Sequence, residues 1–164
     1  MKEVSDSWVS VSATTRLPRK REVEGKDYFF VSDEEFDKLI EEDAFLEWAN
    51  VHGKRYGTLM STVNEAIKKG QQVILEIDVQ GAFQVKNKMP DAHLVFIEPP
   101  SLRVLKKRLC RRGSETPNMI EQRMNTAKLE LSEKMKYDRR LINDKLHIAV
   151  DELVSYVNQQ ANHE

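Results

Sequence analysis

Residues 73–81 read Val73-Ile74-Leu75-Glu76-Ile77-Asp78-Val79-Gln80-Gly81. The nearly continuous apolar run from Val73 to Ile77 predicts a strand covered on both faces in a parallel sheet, not the alternation of a half-solvated one. Two carboxylates, Glu76 and Asp78, stand at its carboxyl end, where open α/β sheets place their ligands. Acidic groups ending such a run favour a functional role over a satisfied structural one. Asp78 is suited to orient a magnesium-bound water or a reacting phosphate, and Gly81 to let backbone amides approach an anion.

Downstream, the pattern continues as alternating helices and buried strands. A short helix over 81–88 ends at Pro90, and a strand over 93–97 is closed by Pro99-Pro100. Ser101 caps a basic helix to about residue 112. Thr116-Pro117 opens a longer one, with proline where its missing N–H costs nothing. A short strand over 140–143 and a helix over 148–158 close the chain. Upstream lie a strand over 8–12, a polar and basic loop over 13–21, and a strand over 28–31. Ser32 and Glu35 are spaced as a capping box before a helix carrying Phe36, Leu39 and Ile40. A hairpin over 45–51 and 54–56 turns at His52-Gly53, and a helix with Val63, Ala66 and Ile67 stops at Gly70. The pattern is that of an α/β chain with a mixed insertion near its start.

The chain has 164 residues, 26 Lys+Arg and 27 Asp+Glu, for a formal net charge of −1. That length is enough for one domain with a real core, without disulfide or metal staples. Near-neutral charge gives no nucleic-acid signal, no apolar run approaches a membrane span, and the first ten residues lack the apolar centre of a signal peptide. A cytoplasmic protein is expected. The single cysteine, Cys110, has no metal-ligand company, and the four histidines lack metal-ligand spacing. None of the six glycines frames a GxxxxGK[ST] or GxGxxG phosphate-binding turn. Met119, Met124, Met135, Phe36 and Phe45 read as core.

Three further constellations bear chemistry. Arg16 and Arg19, flanked by hydroxyls and stiffened by Pro18, suit a phosphate through paired charge-assisted hydrogen bonds; a solvated basic loop is an equal reading. Glu47, with Thr58 after Arg55-Tyr56-Gly57, suits guanine. Its N1–H and exocyclic amine are adjacent donors that an acceptor-only carboxylate satisfies together, while the hydroxyl donates to O6. By composition alone, Glu47 is one more charge in an acidic stretch. The helix after Pro100 carries Arg103, Lys106, Lys107, Arg108, Arg111 and Arg112, and Arg123 follows the Gly113-Ser114 break. Such a face is solvated, binds nucleic acid, or closes as an arginine lid over phosphates; phosphoryl transfer needs the last.

Together, VSATTRLPRKREVEGKDYFF (11–30), FLEWANVHGKRYGT (45–58), LEIDVQGA (75–82), VFIEPPS (95–101), LKKRLCRRGSET (105–116) and LIND (141–144) resemble guanylate kinase, which transfers a phosphoryl group from ATP to GMP. The resemblance runs from about Val9 to the last helix. It implies that Ser12, Arg16, Arg19, Tyr28 and Tyr56 surround the GMP phosphate, Glu47 and Thr58 read guanine, and Asp78 lies beside the acceptor. Arg108, Arg112 and Arg123 would be the catalytic lid arginines, and Asn143 would sit near the adenine of ATP. Mg²⁺ would arrive with ATP, with no dedicated protein site. Glu76 stands where many members have aspartate.

The implied fold is α/β: a P-loop-kinase-like parallel sheet flanked by helices, with a small mixed α/β GMP-binding insertion and a helical lid. The single domain would divide into a core (1–15, 63–112 and 138–164), the insertion (16–62) and the lid (113–137). The family's first strand, its phosphate loop and most of its first helix have no counterpart in the sequence, and a start placed too late is the favoured account. GMP binding with little phosphoryl transfer is therefore expected, and a homodimer compensating the missing strand. The competing reading is a non-catalytic guanylate-kinase-like scaffold module that binds phosphopeptides. RNA binding through the basic helix ranks below both.

Overall fold

The structure, a computed structural model, describes residues 4, 6–112 and 116–161, with Arg112 described by its backbone alone. It comprises two compact units, Met1–Ala92 and His93–Glu164.

The first unit runs β1 (Ser7–Val9), β2 (Ala13–Thr14), β3 (Phe29–Phe30), α1 (Asp33–Glu41), β4 (Phe45–Val51), β5 (Lys54–Leu59), α2 (Met60–Lys68), β6 (Gln72–Ile74) and α3 (Val79–Lys88). Four of its strands form a mixed sheet in the order β3-β2-β5-β4. β2 and β3 run parallel, and both β2–β5 and β4–β5 are antiparallel. The β4–β5 hairpin turns through His52 (φ 52°) and Gly53 (φ 78°). Two successive positive φ values are what a two-residue hairpin loop needs to match the strand twist. Asn50 Oδ1 accepts from the Gly53 amide at 3.0 Å.

Successive β4 side chains point to opposite faces, so Phe45 and Leu46 enter different cores. Phe45 packs with Ala13 and Phe36, its ring stacked on Phe36 at 4.5 Å. Leu46 packs with Val63 and Val85, surrounded by Trp8, Val73, Leu75 and Ile77. The expected capping box holds α1: the Glu35 amide donates to Ser32 Oγ at 3.1 Å, and the Ser32 amide to Glu35 Oε2 at 2.7 Å.

β1 and β6 form a separate parallel pair, Ser7 to Val9 against Gln72 to Ile74. The strand expected over 73–77 ends at Ile74, and Val73, Ile74, Leu75 and Ile77 are half-buried where full cover was expected. The physical reason is partner number. β6 has β1 as its hydrogen-bonded neighbour among the described residues, so the ladder stops where β1 stops and two strands cannot cover both faces.

The second unit contains β7 (Val95–Glu98), α4 (Leu102–Arg112), α5 (Pro117–Glu133), a 3₁₀ turn (Lys134–Lys136), β8 (Arg139–Ile142) and α6 (Leu146–Ala161). β7 and β8 pair in parallel, Val95 to Glu98 against Arg139 to Ile142. Outside the mixed sheet, the parallel strands thus occur as two separate pairs among the described residues, β1–β6 and β7–β8. Leu94, Leu109, Leu141 and Ala149 are buried. Ser101 Oγ accepts from the Val104 amide at 3.2 Å, and Thr116 caps α5 with Pro117 at its start. The core reading of two methionines is corrected: Met119 and Met135 are 46% and 72% exposed. Both lie on segments without any buried residue, and helical spacing alone does not say which face is covered.

Candidate active site

A cavity of about 250 Å³ in the first unit is lined by Ser10, Ser12, Asp27, Tyr28, Glu47, Ala49, Val51, Tyr56, Glu76, Ile77 and Asp78. Five of the eight residues expected around GMP therefore line one cavity: Ser12, Tyr28, Glu47, Tyr56 and Asp78. Thr58 lies fully buried beneath Glu47, and its hydroxyl donates to Glu47 Oε1 at 2.6 Å. The pair sits side by side on the hairpin because Glu47 and Thr58 are register partners of β4 and β5, at an irregularity that follows Phe45. A hydroxyl has one proton, and here Thr58 gives it to the carboxylate. In this state Thr58 orients Glu47, and a base oxygen would have to compete for the same proton.

Glu47 is 4% exposed, and no lysine or arginine among the described residues pairs with it. Charged groups are seldom buried without such a partner. Burial raises its pKa, the Thr58 hydroxyl opposes that rise, and the charge of Asp78 adds to it. The result is a buried acceptor facing a cavity, suited to a ligand edge that offers N–H donors.

Arg16 lies next to this cavity. Its guanidinium sits 5.2 Å from the Tyr28 ring and 6.0 Å from that of Phe30, and the Tyr28 and Tyr56 rings meet edge-on at 5.9 Å. The arginine is held by a carboxylate that the sequence reading did not single out. Arg16 Nη1 and Nη2 donate to the two oxygens of Glu22 at 2.9 and 2.8 Å, and the Arg19 amide donates to Glu22 at 2.7 Å. The Arg16 hydrogen bond, then that of Arg19, lowers the Glu22 pKa, and Glu22 is the first cause raising that of Arg16. The position of an acid six residues after Arg16 in a basic loop was the available signal. Arg19 itself is exposed and does not line the cavity.

Asp78 is the N-cap of α3, its Oδ1 accepting from the Gly81 amide at 2.8 Å. One oxygen thus does structural work while the residue lines the cavity. The anion near Gly81 is the chain's own Glu47. Among the described residues no cluster of three or more His, Cys, Asp or Glu could hold a metal ion.

In the second unit, Arg108 donates to the backbone carbonyls of Asn143 at 2.8 Å and Asp144 at 3.2 Å, so an expected catalytic arginine and the residue expected near adenine are joined. Arg123 lies half-buried on α5. The Arg112 side chain and the Gly113-Ser114 break lie outside the described residues.

The sequence profile of guanylate kinase matches residues 2–160. The chain is 49% identical over 157 residues to guanylate kinase of Streptomyces coelicolor, covering 96% of this chain and 80% of that protein. It is 48% identical over 149 residues to that of Fusobacterium nucleatum, covering 91% and 80%. The crystal structure of guanylate kinase from Anaplasma phagocytophilum superposes with a TM-score of 0.82 at 32% identity, over 98% of this chain and 78% of that one. Such agreement in profile, sequence and structure over nearly the whole chain means that it belongs to the guanylate kinase family.

Proposed function

We propose that the first unit is the GMP site of an ATP:GMP phosphotransferase, and that residues 1–164 taken alone bind GMP but transfer phosphate slowly. Glu47, oriented by Thr58, accepts from the two adjacent donors of guanine. Ser12, Arg16, Arg19, Tyr28 and Tyr56 take the phosphate, and Asp78 lies beside the acceptor. Arg108, Arg112 and Arg123 neutralise charge as the phosphoryl group moves, and Asn143 contacts the adenine of ATP, which brings its Mg²⁺. The domain divides as core (1–15, 63–112 and 138–164), GMP-binding insertion (16–62) and lid (113–137), and it works in the cytoplasm. No helix among the described residues is long and apolar enough to cross a membrane.

The observation that carries this reading is buried Glu47 on the cavity wall, held by Thr58 and with no cationic partner among the described residues. A carboxylate so placed is satisfied by neutral N–H donors, and adenine presents a lone pair where guanine presents N1–H. Its test is calorimetric titration of the 164-residue chain with GMP and AMP. GMP is expected to bind at least about tenfold tighter, because the wrong base leaves buried groups unpaired. Equal affinities, or no binding by a folded sample, would overturn the assignment.

A further inference from the structure

Gly81 is a glycine without a backbone reason. Its φ is ordinary, unlike those of Gly25, Gly53 and Gly70, and it lies within α3, where alanine is the better helix former. The reason is space. A Cβ built on Gly81 would lie 2.4 Å from Glu47 Oε2, 3.0 Å from Glu47 Cδ and 3.3 Å from Ile77 Cβ. The first distance is far inside van der Waals contact, and the atom that would have to yield is the carboxylate. It cannot swing away freely, because its other oxygen is held by the Thr58 hydroxyl at 2.6 Å.

Three residues later on α3, Gln84 clamps the strand that carries Glu47. Its Nε2 donates to the Trp48 carbonyl at 2.7 Å, and its Oε1 accepts from the Trp48 amide at 3.2 Å. One side-chain amide thus satisfies both backbone groups of the residue following Glu47, as a neighbouring strand would. Asp78, Gly81 and Gln84 recur every third residue, a spacing that brings side chains to one helix face. The first caps α3, the second admits the carboxylate, and the third fixes the distance between α3 and β4.

We infer that Gly81 and Gln84 are positioning residues that set the depth of the Glu47 carboxylate and thereby the choice of base, an inference that rests on the guanine reading of Glu47. Pushing the carboxylate into the cavity misaligns it with both guanine donors. Adenine, which offers no such donor pair to a carboxylate, is indifferent to the shift. The loss therefore falls on GMP and spares AMP, although both carry the same ribose and phosphate.

The test is calorimetric titration of the parent chain, Gly81→Ala and Gln84→Ala with GMP and with AMP, each protein checked for a cooperative melt. Gly81→Ala is expected to lose GMP affinity by about tenfold or more with AMP affinity held within about twofold, and Gln84→Ala to move the same way by less. Partial recovery of the GMP preference in Gly81→Ala/Glu47→Asp, where the acid is one methylene shorter, supports a spatial cause. Unchanged GMP affinity in folded Gly81→Ala, or equal losses for both nucleotides, overturns the inference and leaves the guanine reading intact. A parent chain without GMP preference overturns that reading instead, and this inference with it. Where Gly81→Ala does not fold, Gln84→Ala decides: an unchanged GMP to AMP ratio overturns the inference.

Discussion

At the scale of one residue, Glu47 couples folding to recognition with opposite signs. Burial holds its carboxyl above the ordinary value of 4.5, against the Thr58 hydrogen bond and with help from Asp78. The native chain then binds this proton more tightly than the unfolded chain. The contribution of Glu47 to stability is therefore fully present below the ordinary value and is lost as pH rises through the raised one. Guanine recognition needs the ionised form, so GMP affinity falls as pH drops through the same window. Glu47→Gln keeps an acceptor for Thr58 and removes the buried charge. It is expected to melt higher than the parent at neutral pH, yet to lose GMP affinity by on the order of 10–100-fold, since its amide sets a donor against a donor. The GMP phosphate titrates near pH ~6 in both proteins, so the difference between their calorimetric pH profiles isolates Glu47. A parent profile that coincides with that of Glu47→Gln would remove the coupling.

At the scale of elements, the turn from Arg16 to Glu22 is organised before any phosphate arrives. Glu22 draws together the guanidinium of Arg16 and the amide of Arg19, and the Glu22 amide returns to the Arg19 carbonyl at 3.0 Å. Arg16 is thereby held against Tyr28, with Nη1 also donating to the Leu17 carbonyl at 2.9 Å. Glu22→Ala frees both, so it is expected to weaken GMP and AMP equally, by about fivefold, the upper end for a surface ion pair, because the two side chains are only 16% and 17% exposed. A rise in affinity would mean that Glu22 competes with phosphate for Arg16. Local chemistry of this kind was largely legible in the sequence. The Ser32–Glu35 capping box, the His52-Gly53 turn and the proline start of α5 depend on neighbours a few residues away, and they form as read. What depends on distant partners was not legible. The extent of β6 follows from how far β1 accompanies it, and the Gln84 clamp joins residues 36 apart. Neither leaves a local pattern. Glu47 lies between: its type and spacing from Thr58 were visible, whereas its burial, which makes it more than another surface acid, came only with the fold.

At the scale of the whole molecule, the 164 residues taken alone carry two predictions, one on catalysis and one on association. They hold no glycine-rich loop ending in Gly-Lys-Ser/Thr, so these residues taken alone supply no backbone cradle or lysine of that kind for the donor phosphates. Positioning supplies most of the acceleration in phosphoryl transfer. A coupled assay of this chain is expected to give a turnover far below the roughly 1–100 per second of kinases, and a value inside that range would refute the expectation. The strands make the second case. Among the described residues β6 pairs with β1 and β7 with β8, so each parallel pair keeps edges whose N–H and C=O groups seek partners. Apolar side chains lie on or beside these strands in water, with Ile97 52% and Ile142 57% exposed. Parallel sheets normally bury both faces, and a second copy is a ready source of both edge and cover. Light scattering at micromolar concentration is expected to return twice the 19.1 kDa chain mass, with a melting temperature that rises with protein concentration as association requires. A cooperatively melting monomer, independent of concentration, would instead mean that the open edges are tolerated within one chain.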